Sequence, residues 1–162
     1  MKAFLSLGSN KFDRAENLRS AMHFLAEHMS ILHKSSVYQT KAWGNTNQDD
    51  FYNAVIEVET LLTAHDLMQT ILDIEMKMGR IRTQKWEARE IDIDILFYED
   101  AQINEKDLCI PHPFFHERKF VISPMLELNP QYLHPVFNKT IHELSLECKD
   151  TLDIYKLHDI NL

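Results

Sequence analysis

One stretch of the sequence is the most informative about the fold, Arg89-Glu90-Ile91-Asp92-Ile93-Asp94-Ile95-Leu96. Apolar and acidic residues alternate along it, which predicts a β-strand because successive side chains of a strand point to opposite faces. The three isoleucines are expected to point into a core. Asp92 and Asp94 are expected to lie side by side on the other face, with their Cα atoms roughly 6–7 Å apart.

Two carboxylates fixed on one strand can bind a hard divalent cation, which prefers oxygen ligands. Magnesium held by only one or two carboxylates usually takes further ligands from substrate phosphates. An ordinary amphipathic strand with a solvated acidic face would have the same sequence. The strand alone therefore leaves both interpretations open.

A basic segment directly precedes this strand. Within residues 77–89 a single acid, Glu87, stands among five basic residues, Lys77, Arg80, Arg82, Lys85 and Arg89, in a chain of net charge −8. Such a segment alone is consistent with a solvated loop, but beside two carboxylates it favours a polyphosphate ligand, because basic groups and metal ions both neutralise phosphoryl oxygens. The sequence contains three glycines and neither a P-loop nor a Gly-rich dinucleotide turn, so side chains and metal would have to bind any nucleotide.

The length and composition predict a single globular domain over residues 1–162. Cys109 and Cys148 lack the spacing of a metal site or a disulfide framework, which favours a reducing, cytoplasmic location. No apolar run approaches the ~20 residues of a membrane span. The net charge of −8 argues against nucleic-acid binding.

The periodicity of the first hundred residues predicts the order β-α-β-β-α-β. Strands are predicted at residues 2–7, 31–40, 52–60 and about 91–98, and helices at 13–29 and 64–78. This order is typical of the ferredoxin-like α+β fold, an antiparallel sheet with two helices packed against one face. A short strand near 102–103, a helix around 117–128 and short helical pieces form a C-terminal extension, in which 141–162 are assigned only a packing role.

Five collinear motifs resemble the 6-hydroxymethyl-7,8-dihydropterin pyrophosphokinase family. They are Gly8-Ser9-Asn10, Tyr52-Asn53-Ala54-Val55, Gly79-Arg80-Ile81-Arg82, Arg89-x-x-Asp92-Ile93-Asp94-Ile95-Leu96 and Ile110-Pro111-His112-Pro113. The resemblance runs from about residue 4 to 140 and implies a ferredoxin-like core. It also implies an enzyme of folate biosynthesis that transfers pyrophosphate from ATP to the pterin hydroxymethyl group and releases AMP. We expect the protein to be a monomer, although the sequence itself does not give the oligomeric state.

The resemblance implies a metal and nucleotide site around the acidic strand. Asp92 and Asp94 are expected to bind two Mg²⁺ ions and to act in catalysis with Arg82 and Arg89. The expected ATP contacts are Glu75, Arg82, Lys85, Arg89, Ile95, His112 and Arg118. A structural histidine in a proline-stiffened turn is the alternative for His112, and a helix-flank residue is the alternative for Glu75.

A flat pterin site with polar edges is also implied. The expected contacts are Thr40, Trp43, Phe51, Asn53, Trp86, Asp92 and Phe120. The Asn53 carboxamide offers both a donor and an acceptor to the ring edge, and Phe51 and Phe120 would stack on its faces. Trp43 and Trp86 lie in polar loops, where exposed tryptophans favour a lid that closes on substrate.

The sequence departs from the family pattern just before the acidic strand. Trp86-Glu87-Ala88-Arg89 stands where Trp-Gly-Pro-Arg is usual, and Lys85 stands where arginine is common. The loop is about one residue shorter, and Lys41-Ala42 replaces a proline-rich stretch. These changes affect the expected contacts of Lys85 and Trp86 and leave the aspartate pair unchanged.

Two other functions stay open on the sequence alone. Ferredoxin-like domains are often non-catalytic modules, and the basic segment would then bind a small anionic ligand. A metal-dependent phosphodiesterase or nuclease would use the same carboxylates, but the acidic net charge argues against it.

Overall fold

The order of elements in the first hundred residues agrees with the predicted one. The computed structural model describes residues 1–41, 48–80 and 88–162. The elements are β1 (Lys2–Ser9), α1 (Arg14–Ala26), β2 (Ser30–Lys34), β3 (Val37–Thr40), β4 (Phe51–Glu59), α2 (Ala64–Lys77) and β5 (Asp92–Tyr98). The extended segment predicted at 31–40 is thus two strands, β2 and β3.

Local sequence signals mark the start of α1 and the end of α2. The Asp13 side chain caps α1 by accepting a hydrogen bond from the Glu16 backbone N–H at 3.0 Å. Gly79 follows the end of α2 with a φ of 91°, a left-handed conformation that glycine adopts without steric cost.

An antiparallel sheet joins these strands in the order β5-β1-β4-β3, and β2 also pairs with β4. This is the strand order of a ferredoxin-like sheet. β1 is the central strand of the site region, because it pairs with β4 on one side and with β5 on the other.

Apolar side chains pack on both faces of the sheet. One core lies between the sheet and the helices α1 and α2, and its buried members include Leu18, Leu67, Ile71, Ile93 and Ile95. A second core lies on the opposite face and includes Phe4, Val55, Leu96 and Phe97. The isoleucines of β5 therefore point into the first core, as predicted, while the aspartates face the side of the second.

The C-terminal extension covers that second face. It contains β6 (Ile103–Asn104), β7 (Cys109–Ile110), a 3₁₀ helix at Phe115–Glu117, α3 (Lys119–Leu128), α4 (Ile141–Glu147) and β8 (Ile154–Leu157). Helices α3 and α4 contribute Val121, Ile122, Met125, Ile141 and Leu144 to the second core. None of the helices in the described ranges is long and apolar enough to cross a membrane.

One element of the extension differs from the expectation of short helical pieces. β8 is a strand that pairs antiparallel with β3 and extends the sheet, with Ile154 opposite Thr40 and Leu157 opposite Val37. The packing role expected for residues 141–162 therefore includes backbone hydrogen bonding at the sheet edge.

Candidate active site

The site is built on a row of residues that crosses three strands. Gly8 of β1 pairs with Asn53 of β4 on one side and with Asp92 of β5 on the other. Paired residues of adjacent strands project to the same face, here the face of the second core. The sheet therefore fixes the carboxamide and the carboxylate on either side of a glycine.

Asp92 is held by two arginines. Arg80 donates to its Oδ1 at 2.5 Å and Arg89 donates to its Oδ2 at 2.7 Å. The Asp92 side chain keeps 26% of its surface exposed, so it lies at the mouth of the site and not in the core. Two residues of the basic segment therefore contact the acidic strand. Arg80 lies just after the end of α2, and Arg89 lies just before β5.

Glu75 is buried beneath this cluster, with 2% of its surface exposed. Its Oε1 accepts from the Ile93 backbone N–H at 2.8 Å and also from the Arg80 guanidinium. A carboxylate that bridges α2 and β5 in this way fixes the position of Arg80. Glu75 is thus more than a helix-flank residue, and its expected contact with the nucleotide stays a prediction.

Asp94 lies in the next row of the same face, where Ser6 pairs with it and with Val55. Burial raises the pKa of Asp94, and the nearby negative charge of Asp92 raises this pKa further. The positive charge of Arg118 acts in the opposite direction. The charges of Asp92 and Arg118 therefore both act on Asp94.

Arg118 and His112 come from the segment that leads into α3. The guanidinium of Arg118 lies 5.3 Å from the ring centroid of Phe114 and 5.8 Å from that of Phe120. Burial lowers the pKa of His112 to about 4, and Arg118 lowers it as well. His112 is thus neutral near pH 7, and its Nδ1 accepts from the Phe114 N–H at 3.2 Å.

The side of the row opposite Asp92 has the features expected of a pterin site. Thr40 and Asn53 are both 3% exposed, and the Asn53 amide donates to the Thr40 hydroxyl at 2.9 Å. This bond orients the carboxamide. Phe51 lies two residues before Asn53 on the same strand, and its ring centroid is 5.9 Å from the Arg89 guanidinium, so the two halves of the site adjoin.

Four predicted site residues cannot be located in the described part of the chain, and a fifth, Ile95, points away from the site. Trp43, Arg82, Lys85 and Trp86, together with Glu87, lie outside the described residues. The side chain of Ile95, an expected ATP contact, is buried in the core formed with α1 and α2. Only its backbone could contribute to a site on the opposite face.

Two residues of the site were missed by sequence reasoning. Arg80 was noted in the basic segment without a role. Asn10 is part of the Gly8-Ser9-Asn10 motif and has no predicted role, but its Oδ1 accepts from the Arg89 N–H at 2.8 Å and its amide donates to Gln48 at 3.1 Å. Asn10 thereby positions Arg89 at the start of the acidic strand, and no periodic signal in the sequence could have revealed this contact.

Comparison with known proteins identifies the family. The profile of the family described as 7,8-dihydro-6-hydroxymethylpterin-pyrophosphokinase matches residues 4–130. The chain belongs to this pyrophosphokinase family. A relative from Aquifex aeolicus, named 2-amino-4-hydroxy-6-hydroxymethyldihydropteridine pyrophosphokinase, is 42% identical over 144 residues, covering 89% of this chain and 90% of its own. A relative of the same name from Methylorubrum extorquens is 40% identical, covering 88% and 90%.

Solved structures agree with the family's fold. A Plasmodium falciparum HPPK-DHPS chain, solved with pterin and p-hydroxybenzoate, matches with a TM-score of 0.73 at 20% identity. The match covers 90% of the present chain and 41% of that longer one. At this identity the likeness supports the ferredoxin-like architecture.

Membership in the pyrophosphokinase family favours an enzyme over both the non-catalytic module and the nuclease.

Proposed function

We propose that the row of Asn53, Gly8 and Asp92 is where this pyrophosphokinase carries out its reaction. As a member of the family, the protein transfers pyrophosphate from ATP to the hydroxymethyl group of 6-hydroxymethyl-7,8-dihydropterin in folate biosynthesis. The observation that supports this assignment is the strand register, in which Gly8 pairs with both Asn53 and Asp92. The Asn53 carboxamide, proposed to bind the pterin, and the Asp92 carboxylate, proposed to bind the metal, therefore lie on one face, two strands apart.

In this proposal Asn53 binds the edge of the pterin ring. The Thr40 hydroxyl accepts from its amide and so leaves the carboxamide oxygen in a fixed direction. Phe51 and Phe120 supply the aromatic faces between which the ring stacks. The hydroxymethyl oxygen is then directed towards Asp92.

The phosphates of ATP lie on the other side of the row. Arg80, Arg89 and Arg118 provide fixed positive charge around Asp92 and Asp94, and guanidinium forks suit phosphoryl oxygens. Pyrophosphoryl transfer depends mainly on positioning and charge neutralisation, so no covalent intermediate with the protein is required. His112 is neutral and would contribute a hydrogen bond, not a charge. Trp43 and Trp86 would act as a lid over the pterin, and Arg82 and Lys85 would contact ATP.

The donor set of the aspartate pair fits Mg²⁺. Each oxygen of Asp92 accepts one arginine N–H, and a carboxylate has about four acceptor positions. Magnesium held by one or two carboxylates usually takes its other ligands from water and substrate phosphates, and the same is proposed here. Two Mg²⁺ held by Asp92 and Asp94 would neutralise the phosphates and align the attacking and leaving oxygens.

We further propose that the catalytic unit is one copy of a single domain, residues 1–162. A sedimentation mass well above the 19.1 kDa of one chain would contradict the monomer.

A coupled assay tests the reaction and the metal role together. AMP should form only when ATP, the pterin and Mg²⁺ are all present. Asp92→Asn and Asp94→Asn keep the side-chain shape and should each lower kcat by at least about 100-fold, the usual effect of removing a group that stabilises transition-state charge. Asp107→Asn, at an exposed position, is the matched control and should leave kcat unchanged.

The outcomes separate the two parts of the proposal. Absence of AMP with the wild-type protein and all three components would refute the activity. Formation of AMP at normal rates by both aspartate variants would refute the metal role and leave the activity in place.

A further inference from the structure

Gly8 lies at an unusual place for a glycine. It is an interior residue of the central strand β1 and pairs with Asn53 and with Asp92. A glycine there is less stable than an alanine, because it loses more conformational freedom on folding. Its φ is not in the left-handed region, in contrast to Gly79 with a φ of 91°. The backbone of Gly8 therefore gives no reason for glycine.

The space around Gly8 does give a reason. A Cβ built on Gly8 would lie 3.2 Å from Oδ1 of Asn53 and 3.7 Å from Cδ1 of Phe51. In the described part of the chain, apart from the neighbours of Gly8, these are the only heavy atoms within 4 Å of that position. The missing side chain thus opens towards the two residues that face the pterin.

Side-chain size decreases along this face of β1. Phe4 packs in the second core, where its ring centroid lies 5.2 Å from that of Tyr132. Ser6 follows on the same face, and then Gly8. The side chains on this face of β1 therefore become smaller from Phe4, in the second core, to Gly8, which has none and lies between β4 and β5.

We propose that Gly8 is a specificity-determining residue, whose missing side chain forms the slot in which a flat fused heterocycle crosses from Asn53 to Asp92. Two strand spacings separate these residues, about 9–10 Å between Cα atoms. A two-ring pterin bound at one edge by Asn53 spans this distance and brings its hydroxymethyl oxygen beside Asp92. The inference rests on the proposed pterin site and adds the residue that admits the ring.

Gly8→Ala tests this inference because substrate binding should respond far more than stability. Alanine restricts the unfolded chain but brings its Cβ to 3.2 Å from Asn53 Oδ1, so the two effects oppose each other and the melting temperature should change little. The Kd for 6-hydroxymethyl-7,8-dihydropterin, measured with a non-hydrolysable ATP analogue and Mg²⁺, should rise by at least about tenfold, the usual effect of one methyl-sized misfit in a pocket. The Kd for the ATP analogue alone should change less than about twofold, because the Cβ is directed at the pterin half of the site.

Gly79→Ala is the contrasting control. Its φ of 91° is unfavourable for alanine, and no atom lies within 4 Å of the added Cβ. It should therefore lower the melting temperature, the behaviour that Gly8→Ala would share if Gly8 were needed only for the backbone.

A second pair of variants tests whether Gly8→Ala weakens pterin binding only by displacing Asn53. Asn53→Ala removes the atom that the Cβ would touch, so Gly8→Ala/Asn53→Ala should still bind the pterin at least about tenfold more weakly than Asn53→Ala. The same comparison decides the question if Gly8→Ala alone is too unstable to assay.

Three results would overturn the inference. They are a smaller loss of pterin affinity, an equal loss of both ligands, and no additional loss in the double variant. If the wild-type protein itself does not bind the pterin, the proposed function fails together with the inference. If the wild type binds and Gly8→Ala binds equally well, only the role of Gly8 fails.

Discussion

Arg80 links two carboxylates that belong to different elements. It donates to Glu75 of α2 and to Asp92 of β5, and its side chain is only 13% exposed. Removing it would take one hydrogen-bonded ion pair from the buried Glu75 and another from Asp92. We expect Arg80→Ala to lower the free energy of unfolding by about 3 kcal/mol, as for other broken buried pairs. It should also lower kcat by about 100-fold, because a guanidinium beside the phosphates is lost. Urea unfolding and the AMP assay measure these two effects.

Arg19→Ala is a suitable control for that change. Arg19 pairs with Glu16 at 3.0 Å on the surface of α1, with 43% and 59% of the two side chains exposed. Its replacement should change the free energy of unfolding by less than about 0.5 kcal/mol. Equal losses in the two variants would show that the ion pairs of Arg80 have no special structural weight.

The same residues show how far a sequence can predict a site. Asp92 and Asp94 were predictable because strand alternation fixes the face of every side chain. The basic segment predicted positive charge near them. Alternation does not predict where the side chains of a loop point, however, so it could not indicate that Arg80 hydrogen-bonds to Asp92. The bond from the Ile93 N–H to Glu75 depends on the packing of α2 against β5, and no local pattern encodes it.

The end of α3 is joined to the sheet edge by one carboxylate. Glu127 accepts from the Ser36 hydroxyl and the Tyr38 hydroxyl, both at 2.9 Å, and from Lys156 of β8 at 3.3 Å. We expect Glu127→Ala to lower the free energy of unfolding by about 1 kcal/mol, because several donors lose their acceptor near the surface. Chemical denaturation measures this loss.

Glu147→Ala is the matched control for Glu127. Glu147 pairs with Lys139 at 2.6 Å, but both side chains are about half exposed, at 56% and 44%. Such a pair contributes little, and its loss should cost less than about 0.5 kcal/mol. If Glu127→Ala costs no more than Glu147→Ala, the network does not hold α3 and β8 to the sheet.

Elements with a strong period were predictable, and β8 was not. The helix α1 is marked by Leu18, Met22 and Leu25, all buried as the helical spacing predicts. The strand at Ile154–Leu157 has only four residues and lies at the edge of the sheet, where burial alternates weakly. Its pairing with β3 is a tertiary contact across more than a hundred residues, so the local sequence does not predict it.

At the scale of the whole molecule, the two cores lie on opposite faces of the sheet. The core with α1 and α2 fills one face. The core with α3 and α4 buries Phe4 and Val55 on the other face. That second face also carries Ser6, Gly8 and Asp94 in paired rows. The proposed active site therefore lies at the border of the second core, and its geometry depends on the packing that surrounds it.

His134 makes the stability of that second core depend on pH. Its ring is 3% exposed and stacks on Phe137 at 4.4 Å between ring centroids. Its Nδ1 accepts from the backbone N–H groups of Val136 and Phe137 at 3.2 and 3.3 Å, which requires a neutral imidazole. Burial lowers the pKa of His134 to about 4, and nearby His116 lowers it further.

The sign of the effect follows from this depressed pKa. Below pH 6.5 the unfolded chain takes up a proton at His134, whereas the folded protein does so only near pH 4. Stability should therefore decrease as the pH falls from 7 to 5, by on the order of 2 kcal/mol from this residue. His134→Asn keeps an acceptor near Nδ1 without a titrating group, so its free energy of unfolding should decrease less over the same interval. His142→Gln, at an exposed position, should retain the wild-type slope. If His134→Asn also retains it, the pH dependence arises from other groups and the neutral His134 is not its cause.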